Sequence, residues 1–255
     1  MAEKFEELAV VLSQKEIGNG IFDLLIQTEN IAKNAKAGQF ISLYSNDSSR
    51  LLLRPISLCE INREEGTLRL VYRVAGKGTE EFSRLKEKDT VRVLGPLGNG
   101  FDLGEKSAFL IGGGIGIPPM LQLAKELKCQ KQIVLGYRDE LFLLDDFKGL
   151  GDVYFSTEDG SAGTKGNVID AIKANGLKAD VIYACGPTPM LRGLKEFAIE
   201  NDMECYISME ERMACGIGAC LACVCKTKEK DHHTNVNNKR ICKEGPVFNA
   251  REVEL

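Results

Sequence analysis

From residue 5 to about 102, apolar positions recur at every second residue in short runs: ELAVVLSQ, GIFDLLIQ, GQFISLY, LRLVYRVA and TVRVLGPLG. Gly, Asn, Asp and charged residues bound each run, and that pattern predicts half-buried β-strands. One helical piece interrupts them, GTEEFSRLK, with Phe82 and Leu85 on one face. Short strands at regular spacing predict a closed antiparallel barrel, because closure leaves no unpaired edge.

From about 106 to 207 the pattern changes. SAFLIGG, QIVLGYR, DVYFSTE and DVIYACG are near-continuous apolar runs, and PPMLQLAKELK, GNVIDAIKANG and PMLRGLKEFAIE are amphipathic helical segments. Apolar strands alternating with helices predict a parallel sheet covered on both faces. From 208 to 255 regularity fails, and five cysteines and a long hydrophilic run replace it. A piece this small buries too little apolar surface to fold alone, so it needs a staple. The expected organisation is a barrel domain over 1–102, a Rossmann-like α/β domain over 103–207 and a small C-terminal segment over 208–255.

Composition narrows the classes. The chain has 255 residues and a net charge of −4 with the signs interspersed, so no nucleic-acid surface is expected. The acidic start lacks a signal-peptide pattern, and the most apolar stretch, 108–123, is broken by Gly and Pro. A cytoplasmic protein without a membrane span is expected. Nine cysteines in a reducing compartment point to metal binding or catalysis rather than disulfides. Cys59, Cys129, Cys185 and Cys205, scattered through apolar contexts, read singly as small buried hydrophobes.

Two strand-to-helix loops carry candidate nucleotide chemistry. LIGGGIGIPPML presents Gly112, Gly113, Gly114 and Gly116 where a backbone can approach a phosphate at a helix N-terminus. Its spacing departs from the standard dinucleotide fingerprint, and a tight turn with packing glycines is an equal alternative. YACGPTPML leaves the same sheet edge and would hold Cys185, Gly186 and Pro187 near a nicotinamide. Thr157, Glu158 and Asp159 share that edge, with a polar turn and a cap at Asn167 as the plainer reading. Asp139 and Glu140 suit a ribose, whereas Arg138 suits a 2′-phosphate, so charge leaves NAD against NADP open.

In the barrel, Arg54 offers a fork of donors for phosphate and Ser57 a hydroxyl. Gly78 and Thr79 open a helix, a second place for an anion. RPIS, AGKGT, LGPLGNGF, LIGGGIGIPPM and ACGPTPML, in this order, resemble the ferredoxin–NADP reductase-like superfamily over residues from about 35 to 200. That resemblance implies FAD on the barrel, held by Arg54, Pro55, Ile56, Ser57, Val71, Tyr72, Arg73, Gly78 and Thr79, and a pyridine nucleotide on the α/β domain. Pro55 stands where many members carry Tyr.

The cysteine spacing Cys215-x₄-Cys220-x₂-Cys223, with Cys242 after eighteen intervening residues, is that of a plant-type [2Fe–2S] cluster. Gly216 and Gly218 would let the loop wrap the core, and the cluster would staple the segment. Zinc usually takes paired knuckles, no thioredoxin-like context precedes Cys220-x₂-Cys223, and His232 and His233 read as surface histidines in a solvated run. Cys225 is the spare.

EERMACGIGACLACVC with the distant Cys242 resembles the electron transfer subunits of class 1B dihydroorotate dehydrogenases, over essentially the whole chain. This implies a partner, an FMN-containing catalytic subunit, in a heterotetramer with two copies of each chain. It also implies electron flow from that FMN through [2Fe–2S] and FAD to NAD⁺, in pyrimidine (UMP) biosynthesis. Flavin is the group that converts between one-electron and hydride chemistry. Glu210 and Glu211 approach either the flavin or solvent. The alternatives are a subunit of an NAD(P)H–ferredoxin oxidoreductase or sulfide dehydrogenase complex, and, from another class, a zinc-stapled binding protein.

Overall fold

A computed structural model describes residues 3–230 and 235–255; His232 and His233 lie outside the described residues. The barrel is built from β1 (Phe5–Gly18), β2 (Ile21–Gln27), a single turn α1 (Ile31–Asn34), β3 (Phe40–Leu43), β4 (Arg54–Asn62), β5 (Thr67–Arg73), α2 (Lys77–Phe82) and β6 (Thr90–Leu97). It closes in the order β1-β2-β5-β4-β3-β6, and every pair is antiparallel. Leu24, Ile41, Leu43, Leu58, Leu70 and Tyr72 fill its interior.

The periodicity of the chain does not announce β4. A register shift against β5 between Leu58 and Glu60 buries two successive residues, Leu58 and Cys59. Leu58 belongs to the barrel interior and Cys59 to the seam with the second domain. A β-bulge of this kind spoils the two-residue repeat by which a strand is recognised.

The α/β domain contains β7 (Ala108–Gly113), α3 (Pro118–Glu126), β8 (Lys131–Tyr137), β9 (Asp152–Thr157), β10 (Thr164–Lys165), α4 (Val168–Ala174), β11 (Val181–Cys185), α5 (Thr188–Glu200) and β12 (Glu204–Ser208). Pro118 starts α3, where its missing N–H costs nothing. Asn167 caps α4 by accepting from the Ile169 and Asp170 N–H groups at 2.8 and 3.2 Å. The β7–β12 strands run parallel. No helix among the described residues is long and apolar enough to cross a membrane.

The tail is less independent than its composition suggests. β13 (Val224–Lys226) and β14 (Asn238–Arg240) form a small antiparallel ribbon. β15 (Val247–Asn249) then adds antiparallel to β12 and becomes the edge of the seven-stranded sheet. Ile241, Phe248, Ala250 and Val253 share one apolar core with Ile182, Leu194 and Ile207 of the α/β domain. From the barrel, Asn99 Nδ2 donates to the carbonyls of Glu244 and Val247 at 3.1 and 2.9 Å. Strand addition and apolar packing therefore staple the tail alongside any cluster.

The two domains meet along a charged seam on the outer face of β2, β4 and β5. The Arg69 guanidinium donates to both Asp23 oxygens, at 3.0 and 2.9 Å, and reaches Asp146 across the seam. Lys125 of α3 pairs with Glu60 at 2.6 Å, and the Gln122 carbonyl accepts from the Ile61 N–H at 2.8 Å.

Candidate functional site

A cavity of about 750 Å³ opens on the outer face of the barrel. Arg54, Pro55, Ile56, Ser57, Val71, Tyr72, Arg73 and Thr79 line it, together with Ile115 of the glycine loop and Ser208–Met213. Its size suits a dinucleotide-scale ligand. Tyr72, in this lining, and Gly78, outside it, contribute in ways their type does not suggest. Tyr72 is 2% exposed, its ring lies in the barrel interior, and its hydroxyl donates to Gln14 Oε1 at 2.9 Å. Burial pushes its phenol up, so it forms part of the wall rather than a proton donor. Gly78 lies behind the wall: a Cβ there would run into the Arg54 guanidinium. Changing Gly78 to Val is expected to expel Arg54 from its place and to lower FAD retention on gel filtration, with the far-ultraviolet spectrum unchanged.

A smaller cavity of about 330 Å³ adjoins at the sheet edge, lined by Gly114, Arg73, Arg138, Asp139 and Glu140 among others. Arg73 lines both cavities, and the successive residues Gly114 and Ile115 face one each. A Cβ on Gly114 would meet only open space. Gly116 does something else: a Cβ there would collide with the backbone of Cys185 and Gly186. The two nucleotide-type loops are thus pressed together, and both readings of the glycine run apply at different positions. Pro187 packs beside Gly113 in the same contact, and a Cβ on Gly112 would strike Ile117 Cα at 2.8 Å.

Of the neighbouring carboxylates, Glu140 accepts from the Asn19 N–H at 2.9 Å and so ties this loop to the barrel. Asp139 is exposed beside it. Thr157 and Asp159 are spent locally, Thr157 on Ala162 and Asp159 on Ser161. Cys185 is 1% exposed, and burial pushes its thiol far up, as burial does for Cys59. The Cys205 thiol is pushed up to about 12 by the same cause. Glu210 opens onto the large cavity between protein walls, and desolvation raises its carboxyl above the usual range.

The four candidate cysteine ligands gather as two pairs. Cys215 Sγ and Cys220 Sγ lie 3.3 Å apart, and the Cys242 N–H donates to Cys223 Sγ at 3.5 Å. All are free thiols. Gly216 and Gly218 have φ of 67° and 84°, a left-handed backbone that glycine adopts without strain and that turns the loop back on itself. Burial opposes ionisation of Cys215, but N–H groups of Cys220, Ile217 and Ala219 overcome it and bring the thiol down to about 6. Cys242 is pushed up to about 12 by burial and by its neighbour Cys223. Arg240 braces the arrangement, donating to the Gly218 carbonyl at 2.7 Å and pairing with Glu244. Among the described residues no three ligating side chains converge on one point. A mononuclear zinc site needs four donors round one ion. Two thiol pairs match a binuclear core with two terminal thiolates at each iron, so the donor set fits a [2Fe–2S] cluster. Cys225 is buried in the same apolar core, with its thiol raised mainly by burial.

Comparison with known proteins decides the family. The family described as iron-sulfur cluster binding domain of dihydroorotate dehydrogenase B matches residues 210–254, and oxidoreductase FAD-binding domain matches 10–101. The chain is 45% identical to dihydroorotate dehydrogenase B (NAD(+)), electron transfer subunit, of Listeria monocytogenes serovar 1/2a, covering 96% of this chain and 97% of that one. It is 41% identical to the protein of the same description from Caldanaerobacter subterraneus subsp. tengcongensis, covering 96% and 97%. The chain belongs to this family of electron transfer subunits. Its matched FAD-binding and iron-sulfur cluster binding domains make it a flavin and iron–sulfur oxidoreductase subunit. Among solved structures, a chain of NADH-dependent reduced ferredoxin-NADP oxidoreductase aligns with a TM-score of 0.87 at 32% identity, covering 97% of this chain and 90% of that one. The ferredoxin reductase in carbazole 1,9a-dioxygenase, at 17% identity and a TM-score of 0.66, covering 78% and 67%, shares the fold.

The positions of the large cavity and the cysteine loop follow from strand register. β3 and β4 pair Phe40 with Ser57, Ile41 with Ile56, Ser42 with Pro55 and Leu43 with Arg54. Residues paired across an antiparallel ladder share a face. Ile41 and Leu43 face the barrel interior, so Phe40, Ser42, Pro55 and Ser57 face outward together. Pro55 and Ser57 line the large cavity, whereas Ser42 lies against the cysteine loop at Gly216. Adjacent strands are about 5 Å apart, so the cavity and the cysteine loop occupy neighbouring strips of one surface. Phe40 and Met213 belong to both, lining the cavity and packing in the core that holds Cys223 and Cys242.

Proposed function

We propose that this chain receives electrons from an FMN-containing dihydroorotate dehydrogenase catalytic subunit and delivers them, through its [2Fe–2S] cluster and FAD, to NAD⁺ in pyrimidine (UMP) biosynthesis. The assembly is a heterotetramer with two copies of each chain, in the cytoplasm. The observation that carries the reading is the shared wall of Phe40 and Met213, which brings the cysteine loop and the large cavity onto adjacent barrel strands. A bound flavin supplies the exchange between single electrons and hydride that such a relay requires.

The residues divide the work. Cys215 and Cys220 would hold one iron, and Cys223 and Cys242 the other. Arg54 gives its guanidinium fork to the FAD phosphates, while Pro55, Ile56, Ser57 and Val71 shape the wall. Arg73, at the junction of the two cavities, offers positive charge to either phosphate group. Gly114 would give the nucleotide its open approach at the sheet edge, and Cys185, Gly186 and Pro187, packed against Gly113 and Gly116, would support the loop that receives the nicotinamide. Asp139, free where Glu140 is engaged, takes a ribose hydroxyl and favours NAD⁺ over NADP⁺.

Arg54→Ala is expected to weaken FAD binding by about 10- to 100-fold, the worth of a charge-assisted contact. Flavin fluorescence released on dilution measures it, and full retention would remove Arg54 from the phosphate role. The wider reading is tested by purifying the native chain and identifying what travels with it. An FMN protein that oxidises dihydroorotate supports the relay. A ferredoxin-coupled complex supports the second reading, which the 32% identity to the ferredoxin-NADP oxidoreductase chain keeps in view.

A further inference from the structure

We infer that Ser42, a residue of the barrel, donates its hydroxyl hydrogen to the sulfur shell of the cluster at the Cys215 iron and so raises the cluster's reduction potential. The inference rests on the cluster assignment above. Ser42 is 0% exposed, and among the described residues its Oγ has no hydrogen-bond partner. A buried hydroxyl left unpaired costs about 1–3 kcal/mol, so a position of this kind calls for an acceptor.

The surroundings indicate which acceptor. Ser42 Oγ lies 3.2 Å from the point a Gly216 Cβ would occupy, so it abuts the residue that follows Cys215. Its outward-facing neighbour on the same strand, Phe40, is in the apolar core containing Cys223 and Cys242. Its cross-strand partners are Pro55 on β4 and Leu94 on β6, and neither side chain offers an acceptor. What is missing beside this hydroxyl is an electron-rich atom, and four thiolates with two sulfides provide a dense set of them. The loop's own N–H groups, from Ile217, Ala219 and Cys220, already point at Cys215 Sγ. Ser42 adds a donor from a different element, one that also forms the neighbouring strip to the flavin cavity.

The sign follows from charge. Reduction places one more electron on the iron–sulfide core, and a donor to its sulfurs stabilises the reduced form more than the oxidised form. Removing the donor lowers the midpoint potential. A net hydrogen bond of ordinary strength shifts the oxidised-to-reduced ratio by up to about tenfold, which is ~59 mV for a one-electron couple.

The test compares the parent protein with Ser42→Ala, both with cluster and FAD in place. Anaerobic potentiometric titration followed by electron paramagnetic resonance reads the cluster potential. Deuterium coupling in the reduced cluster after exchange into D₂O reads the hydroxyl directly. The expected result is a lower midpoint in Ser42→Ala and the loss of one exchangeable deuteron coupling. An unchanged midpoint with an unchanged deuteron pattern overturns the inference, and so does a change in melting temperature alone. A parent protein with no cluster signal overturns the cluster assignment as well, whereas a parent signal that Ser42→Ala leaves unmoved overturns only the role of Ser42.

Discussion

Cys242→Ala is expected to abolish the visible absorption of the iron–sulfur cluster while leaving the flavin bands, whereas Cys225→Ala leaves both. The two cysteines are equally cryptic in composition, since both are buried in one apolar core. What separates them is pairing. The Cys242 N–H donates to Cys223 Sγ at 3.5 Å, and Cys223 adds to burial in raising the Cys242 thiol, whereas Cys225 lies outside both thiol pairs. On the proposed assignment, the second iron would lack a terminal ligand without Cys242. Metal binding and folding are coupled in small segments, so the loop from Met213 to Cys242 should become sensitive to protease. The barrel and the parallel sheet should resist, because β15 still closes the sheet edge. Absorbance and limited proteolysis on the same sample check both parts. Bleaching by Cys225→Ala with a coloured Cys242→Ala protein would reverse the ligand assignment.

Arg69→Leu is expected to lower stability by about 3–5 kcal/mol, the cost of stranding a buried carboxylate when its partner is removed. The side chain of Asp23 is 8% exposed, and Arg69 satisfies both its oxygens, at 3.0 and 2.9 Å. Lys15 stands 3.9 Å from Asp23 and is itself largely solvated, so it replaces little of that interaction. The same guanidinium reaches Asp146 of the α/β domain, so the loss also loosens the seam that sets one cavity against the other. Urea unfolding measures the first effect. The double variant Asp23→Asn with Arg69→Leu should recover much of it, because no unpaired charge remains. A single variant as stable as the parent would show that the cluster of charges is solvated rather than structural.

The chemistry-bearing residues were legible because their signals are local. Four cysteines at fixed spacing, glycines between a strand and a helix, and an Arg-Pro-Ile-Ser run are each read within about ten residues, apart from Cys242. β4 was not legible as a strand, because the bulge at Leu58 and Glu60 buries Leu58 and Cys59 on opposite sides of the barrel wall. β12 and β15 were also hidden. Each is only five or three residues long, and β15 gains its meaning from a partner about forty residues earlier. Tyr72 reads as a cavity side chain by its position in a motif, yet strand alternation turns its ring into the barrel.

The amino-acid sequence alone determined the ligand types, their spacing and the two kinds of strand pattern, since each depends on neighbours along the chain. Tertiary structure decided that the thiols form two pairs, that Glu140 is engaged by the barrel, and that Ser42 and Pro55 stand side by side on one outer face. These depend on register between segments far apart in the chain. Register is a cooperative outcome of barrel closure and core packing, and a shift of one residue would turn Ser42 indoors and Ile41 toward the cysteine loop.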